Sequence, residues 1–148
     1  MVIREAKTED LTELVEIFEA YRKFYRKEAN TSVATQFLEE RLNKNQSKIY
    51  IAINAEHKIK GFVQLYPSYS STRLSKMWIL NDLYIYPESR GQGISKLLIE
   101  RTKLLAIQTN ACGLLLETES DNNIANKLYL STEFKLENNN FYFWTSDK

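Results

Sequence analysis

One stretch narrows the possible folds more than any other: Leu80-Asn81-Asp82-Leu83-Tyr84-Ile85-Tyr86-Pro87-Glu88-Ser89-Arg90-Gly91-Gln92-Gly93-Ile94-Ser95. It opens inside an apolar run, Met77 to Tyr86, that is broken only by Asn81 and Asp82. Such a run is the pattern of a central strand covered on both faces. A turn with Pro87, a loop with Gly91 and Gly93, and an amphipathic segment starting at Ile94 follow. Glycines between a strand and a helix let backbone N–H groups converge at the positive end of the helix dipole, an arrangement that holds phosphates. The chain is expected to bind a phosphate-bearing ligand.

The flanking segments supply the framework. Val2 to Ala6 reads as a short strand, with Thr8 as a helix N-cap. Leu11, Leu14, Val15, Phe18, Tyr21 and Tyr25 then share one helical stripe, with acidic residues early and Arg22, Lys23, Arg26 and Lys27 late, which complements the dipole. Val33 to Leu42 reads as a second helix with Phe37 and Leu38 inward, and Lys48 to Asn54 and Ile59 to Tyr69 as strands joined by a turn at His57. Pro67 marks an edge, a bulge or a strand end, and Ser68 to Ser75 a polar connection.

Beyond the glycine loop, Ile94, Leu97, Leu98, Leu104 and Leu105 share a helical face on which Arg101 must snorkel or pair. Gly113 to Glu117 reads as a strand parallel to the central one, Ile124 to Leu130 as a short helix, and Phe134 to Leu136 with Asn140 to Thr145 as a closing hairpin. The order β-α-α-β-β-β-α-β-α-β-β predicts a mixed α/β (α+β) fold, with helices on both faces of its sheet.

A chain of 148 residues fits one domain spanning 1–148. Twenty basic against nineteen acidic residues, a net charge of +1, give no general attraction to nucleic acid or anionic membrane. A small-molecule or protein partner is expected instead. Nothing resembles a signal peptide or a membrane span, which predicts a cytoplasmic protein. The single cysteine, Cys112, beside Leu114, Leu115 and Leu116, reads as a buried packing residue. No cluster suggests a metal site.

Spacing separates the phosphate loops. A dinucleotide fingerprint needs glycine where Lys96 stands, and a Walker loop needs four residues between its first glycine and Gly-Lys. The remaining pattern, Arg/Gln-x-x-Gly-x-Gly/Ala after a central strand, resembles the acyl-coenzyme A loop of the GNAT acetyltransferase superfamily. Arg90 and Gly93 match, and Ser95 replaces the second small residue. The element order resembles that fold over nearly the whole chain, and Leu80 to Ser95 with Asn122 to Tyr129 resembles the polyamine and diamine acetyltransferases and their bacterial relatives.

The resemblance implies a sheet of about six or seven strands, splayed at a bulge in the fourth, where Asn81-Asp82 lie. It implies N-acetyl transfer from acetyl-CoA to a primary amine by direct attack in a ternary complex; a non-catalytic acyl-CoA-binding module is the alternative. Cofactor contacts would come from the backbone of Leu83, Tyr84 and Ile85, from Arg90, Gly91, Gln92, Gly93, Ile94, Ser95 and Lys96 at the pyrophosphate, and from Asn122. Tyr129 would be the general acid, although it also suits packing. Asn81 stands where relatives often carry a carboxylate, so the amine's proton is expected to leave through water with help from Asp82 or Glu117; Asp82 equally suits a structural role. The acceptor would be a small amine or a basic peptide, and Tyr21, Phe24, Tyr25, Tyr66, Tyr69 and Tyr142 could line its groove or belong to the core. A homodimer through the last strands is also implied, with closure of the core as the other use of Phe141-Tyr142-Phe143-Trp144.

Overall fold

The computed structural model describes residues 1–147. The chain divides into two compact units, the first Met1–Glu117 and the second beginning at Thr118. In the first unit the elements are β1 (Val2–Glu5), α1 (Leu11–Phe24), α2 (Thr31–Asn43), β2 (Lys48–Ile53), β3 (Ile59–Ser70), β4 (Ser75–Ile85), α3 (Ile94–Gln108) and β5 (Leu114–Leu115). The strands form one sheet in the order β1-β2-β3-β4-β5, antiparallel except for the parallel pair of β4 and β5. This is the mixed sheet expected, with five strands among the described residues rather than six or seven.

Period-two alternation divides the core between two faces. Ile49, Ile51 and Ile53 of β2, with Phe62 and Tyr84, pack against Leu14, Val15 and Phe18 of α1 and Ala34 and Leu38 of α2. On the opposite face Tyr50 lies under the guanidinium of Arg101 from α3, 4.3 Å from ring centroid to Cζ. The expectation that Arg101 pairs is met by this cation–π contact. Gly61 faces α3 as well: a Cβ there would meet Ile85 Cδ1 at 2.5 Å and Ile94 Cγ2 at 3.3 Å. Its missing side chain seats the first turn of α3 against the sheet.

Several local expectations shift. Thr8 is not a cap: a single 3-10 turn, Thr8–Asp10, precedes α1, and the Asp10 carboxylate accepts the Lys7 N–H at 2.7 Å while pairing with Arg4 at 2.8 Å. That partner holds the Asp10 carboxyl below its ordinary range. The inward face of α3 is Ile94, Leu98, Ile99, Thr102, Leu105 and Ala106, whereas Leu97 and Leu104 are exposed. Apolar residues surround most of this helix, so periodicity alone does not choose its buried side. Phe37 is only partly covered, stacked on Phe18. The strands β3 and β4 run further than expected, so the serine-rich connection shrinks to 71–74. Pro67 lies on β3 opposite Trp78, past the last β2 partner at Leu65, where a missing N–H costs no ladder bond. Cys112 is exposed, in the turn between α3 and β5, rather than packed in the core.

In the second unit α4 (Asn123–Ser131) is the one regular element among the described residues. The expected hairpin is absent: from Phe134 to Asp147 there is no strand. Phe141, Tyr142, Phe143 and Trp144 are exposed rather than closing a core. High strand propensity expresses fit to a half-buried pleated surface, and an isolated two-stranded hairpin lacks one. Among the described residues no helix is long and apolar enough to cross a membrane.

Candidate functional site

The site grows from an irregularity in β4. Its register against β3 runs Gln64↔Asp82 and then Leu65↔Leu80, so one step on β3 spans two on β4 and Asn81 has no residue opposite. This is the expected bulge. An extra residue inverts the alternation of backbone groups. Before it, the Trp78 N–H donates to Gly113 O and Lys76 O accepts from Cys112 N–H, both toward β5. After it, the Tyr86 N–H donates to Lys60 O, toward β3. By alternation Tyr84 turns its backbone groups to β3, while Leu83 and Ile85 turn theirs to the other side. There β5 pairs with β4 only at Trp78 and Ile79. The edge from Asn81 to Ile85 is therefore splayed from β5, and Leu83 and Ile85 are the residues with backbone groups on it.

At the end of this edge stands the glycine loop. Gly91 and Gly93 have φ of 77° and 78°, the left-handed region that L side chains adopt only with strain. Gly93 is the N-cap of α3 and provides no side-chain cap, and Leu97 is the first residue to bond back, to Gly93 O at 3.2 Å. The N–H groups of Ile94, Ser95 and Lys96 precede that first intrahelical bond. Arg90, at the entrance, donates from Nε to Ile85 O at 2.9 Å, and its guanidinium lies 5.3 Å from the Tyr84 ring and 5.7 Å from Phe24. The residue expected to add charge for a pyrophosphate thus also ties the loop to the open edge and to the end of α1.

On the α1 side of the bulge the polar pair is resolved. Asp82 is 4% exposed, and its Oδ2 accepts from Gln64 Nε2 at 2.5 Å while its Oδ1 accepts from Asn81 Nδ2 at 2.9 Å. Gln64, fully buried, accepts in turn from Ser47 Oγ at 2.8 Å. Burial pushes the Asp82 carboxyl above the usual carboxylate range, and hydrogen bonds from Gln64, Asn81 and Tyr21 pull the other way. Burial, then the Asp82 charge, push the Tyr66 hydroxyl up to about 12. Tyr21 donates to Asn81 O at 3.4 Å and belongs to a ring cluster with Phe18, Tyr25, Phe62 and Tyr84. Of the expected groove aromatics in this first unit, Tyr21, Tyr25 and Tyr66 are partly covered, whereas Phe24 and Tyr69 are exposed. Ser47 and Gln64 went unread in the sequence. The available signal was a glutamine inside the apolar run Gly61 to Leu65, the same kind of interruption that marks Asn81-Asp82.

The second unit contains the other two expected residues. Asn122 caps α4, its Oδ1 accepting from Ala125 N at 3.1 Å. Tyr129 lies in α4, its ring 5.7 Å from that of Phe134, whose N–H donates to Tyr129 O. Tyr142 is exposed there. Among the described residues no group of His, Cys, Asp and Glu could hold a metal ion.

A central strand that bulges and splays, followed by two left-handed glycines at an uncapped helix start, is the arrangement the resemblance implied. The profile of the Acetyltransferase (GNAT) family matches residues 14–134. The chain belongs to that family. It is 40% identical over 129 residues to a Bacillus subtilis protein named uncharacterized N-acetyltransferase YhfO, covering 87% of this chain and 86% of that one. A probable acetyltransferase of Haemophilus influenzae is 32% identical over 103 residues, 70% of each chain. A crystal structure of a probable acetyltransferase superposes with a TM-score of 0.94 at 37% identity, covering both chains fully. This GNAT chain is an acetyltransferase, and enzymes of the family use acetyl-CoA. The polyamine branch of the resemblance is not singled out by these relatives.

Proposed function

We propose that this GNAT enzyme transfers the acetyl group of acetyl-CoA to the nitrogen of a primary amine, a small molecule or a basic peptide, by direct attack with no covalent enzyme intermediate. The observation that carries the reading is the inverted alternation at Asn81, which directs the backbone groups of Leu83 and Ile85 away from β3. A pantetheine arm is a chain of amides and pairs with such an edge as a strand would. Bound there, acetyl-CoA supplies the activated thioester.

The chain's own groups do the rest. The N–H of Leu83 polarises the thioester carbonyl, a donor of the kind whose removal costs about 2.7–4 kcal/mol of barrier in other enzymes. The N–H groups from Gly91 to Lys96 hold the pyrophosphate at the start of α3, and the guanidinium of Arg90 adds charge. On the family resemblance the acid for the departing thiolate is Tyr129, because phenols as a class are protonated at neutral pH and a thiolate whose conjugate acid lies near ~8.5 accepts a proton readily. The acceptor, with an ordinary pKa near ~10.4, loses its proton to water before attack.

The test follows free thiol while the purified protein is incubated with acetyl-CoA and a panel of amines and peptides. Amine-dependent thiol release is expected. Absence of both transfer and acetyl-CoA binding would sink the reading, and binding without transfer to any amine would favour a non-catalytic acyl-CoA-binding module. Tyr129→Phe is expected to lower kcat about 100-fold with the KM for acetyl-CoA unchanged; unchanged turnover removes Tyr129 from the acid role.

A further inference from the structure

The chain of polar groups from Ser47 to Asn81 has a fixed direction. A carboxylate accepts hydrogen bonds, whereas a side-chain amide has a donating and an accepting end. Ser47 Oγ donates to Gln64 Oε1, so Gln64 turns its NH₂ to Asp82; Asp82 fills its other oxygen with the NH₂ of Asn81. Both oxygens of Asp82 are thereby engaged, and the residue is 4% exposed. Buried with an amide NH₂ on each oxygen, it is placed to hold its neighbours rather than to meet an incoming amine.

Asn81 differs on each count. It is exposed, it is the bulged residue at the first position of the splayed edge, and its NH₂ is held inward. The end left over is Oδ1, which accepts no hydrogen bond from any described residue. A side-chain oxygen held at this point has the chemistry to accept an N–H of the nucleophile. Being neutral, it does not stabilise an ammonium as a carboxylate would, so it disfavours the amine's reactive, deprotonated form less.

We propose that Asn81 Oδ1 orients the acceptor amine, and that Asp82 is a positioning residue holding the Asn81 amide in that orientation rather than the base. The inference rests on the amine-acetyltransferase reading above. Tyr21 adds a second hold on the bulge, through the Asn81 carbonyl at 3.4 Å.

The experiment compares full-length variants, with acetyl-CoA saturating, on the fastest acceptor among phenethylamine, putrescine and Nα-blocked lysine amide. Asn81→Ala, at an exposed position, is expected to lower kcat/KM for the amine about tenfold, one hydrogen bond of roughly 1.4 kcal/mol, with the KM for acetyl-CoA unchanged. Asp82→Asn is expected to lower the same quantity by a comparable factor, because an amide there sets NH₂ against NH₂. Gln64→Glu combined with Asp82→Asn exchanges carboxylate and amide, restores an acceptor for Ser47 and a side-chain oxygen for Asn81, and is expected to recover most of the loss. In all three the pH at which kcat/KM rises stays that of the acceptor amine. Asn81→Ala within twofold of wild type overturns the orienting role. An Asp82→Asn enzyme that loses the rise with pH, with no recovery in the exchange variant, overturns the positioning role and makes Asp82 the base. A wild-type protein that acetylates none of the three amines, nor any amine or peptide of the wider panel, refutes the underlying reading instead.

Discussion

The two halves of β4 share a strand and differ in what lies beside them. From Ser75 to Leu80 the strand has β3 on one side and, at Trp78 and Ile79, β5 on the other. Its side chains there serve packing: Trp78 is buried, and its indole N–H donates to Thr109 Oγ1 at the end of α3 at 2.9 Å. From Asn81 to Ile85 one side is open, and the half contains a buried carboxylate, an exposed amide and backbone groups with no strand to meet. A single unpaired residue separates the two. The lesson is that reactivity here is made by subtraction: the same strand, minus one neighbour and plus one residue, changes from core to site.

The most drastic way to break the comparison is to delete Asn81. Removing the bulged residue joins Leu80 directly to Asp82 and makes the pairs Leu65↔Leu80 and Gln64↔Asp82 consecutive rungs of a regular ladder, with Leu83, Tyr84 and Ile85 on the faces they already had. The expected outcome is loss of amine acetylation by a domain that keeps its cooperative melting transition; a variant that acetylates like wild type would show that the bulge is not what separates the halves.

A milder blow to the open half is Asp82→Ala. It leaves the NH₂ groups of Gln64 and Asn81 without their acceptor, and a cost of about 3 kcal/mol is expected, measured by urea unfolding. The pH dependence sharpens the point. The carboxyl of Asp82 is raised in the folded protein, so the folded state binds the proton more tightly than the unfolded one. Its contribution to stability therefore falls as pH rises from the unfolded value near ~3.9 to the folded pKa above it. Asp82→Asn should lack that decline. A wild-type profile that rises in this window, beyond the rise Asp10 contributes at lower pH, would contradict the assignment.

The smallest effect belongs to the closed half. Trp78→Phe retains most of the ring and removes the bond to Thr109, whose hydroxyl still donates to Leu105 O at 2.7 Å. A loss of about 1 kcal/mol is expected, with acetyl transfer unaltered; a change in kcat would mean that the closed half shares in the chemistry.

Much of this was legible before any coordinates. The strand, the glycine loop and the long helix follow from local signals that the fold respects, and two polar residues in an apolar run located the bulge. The Ser47–Gln64–Asp82 chain was not legible, because it joins the start of β2 to two other strands and spacing along the sequence does not encode it. The inward face of α3 failed for a different reason: with Leu97, Leu98, Ile99, Leu104 and Leu105 all apolar, only the sheet selects among them. The aromatic run Phe141 to Trp144 has strong strand propensity, but in the second unit no strand stands beside it.

That run also gives the molecule the second of two optical reporters. The chain has two tryptophans: Trp78, 4% exposed, in the closed half of β4, and Trp144, 85% exposed, in the second unit. Iodide reaches the second and not the first, so the quenchable, red-shifted part of the emission follows the aromatic run while the protected, blue part follows the sheet. Events at each are thus separable in the unlabelled protein with a single excitation wavelength.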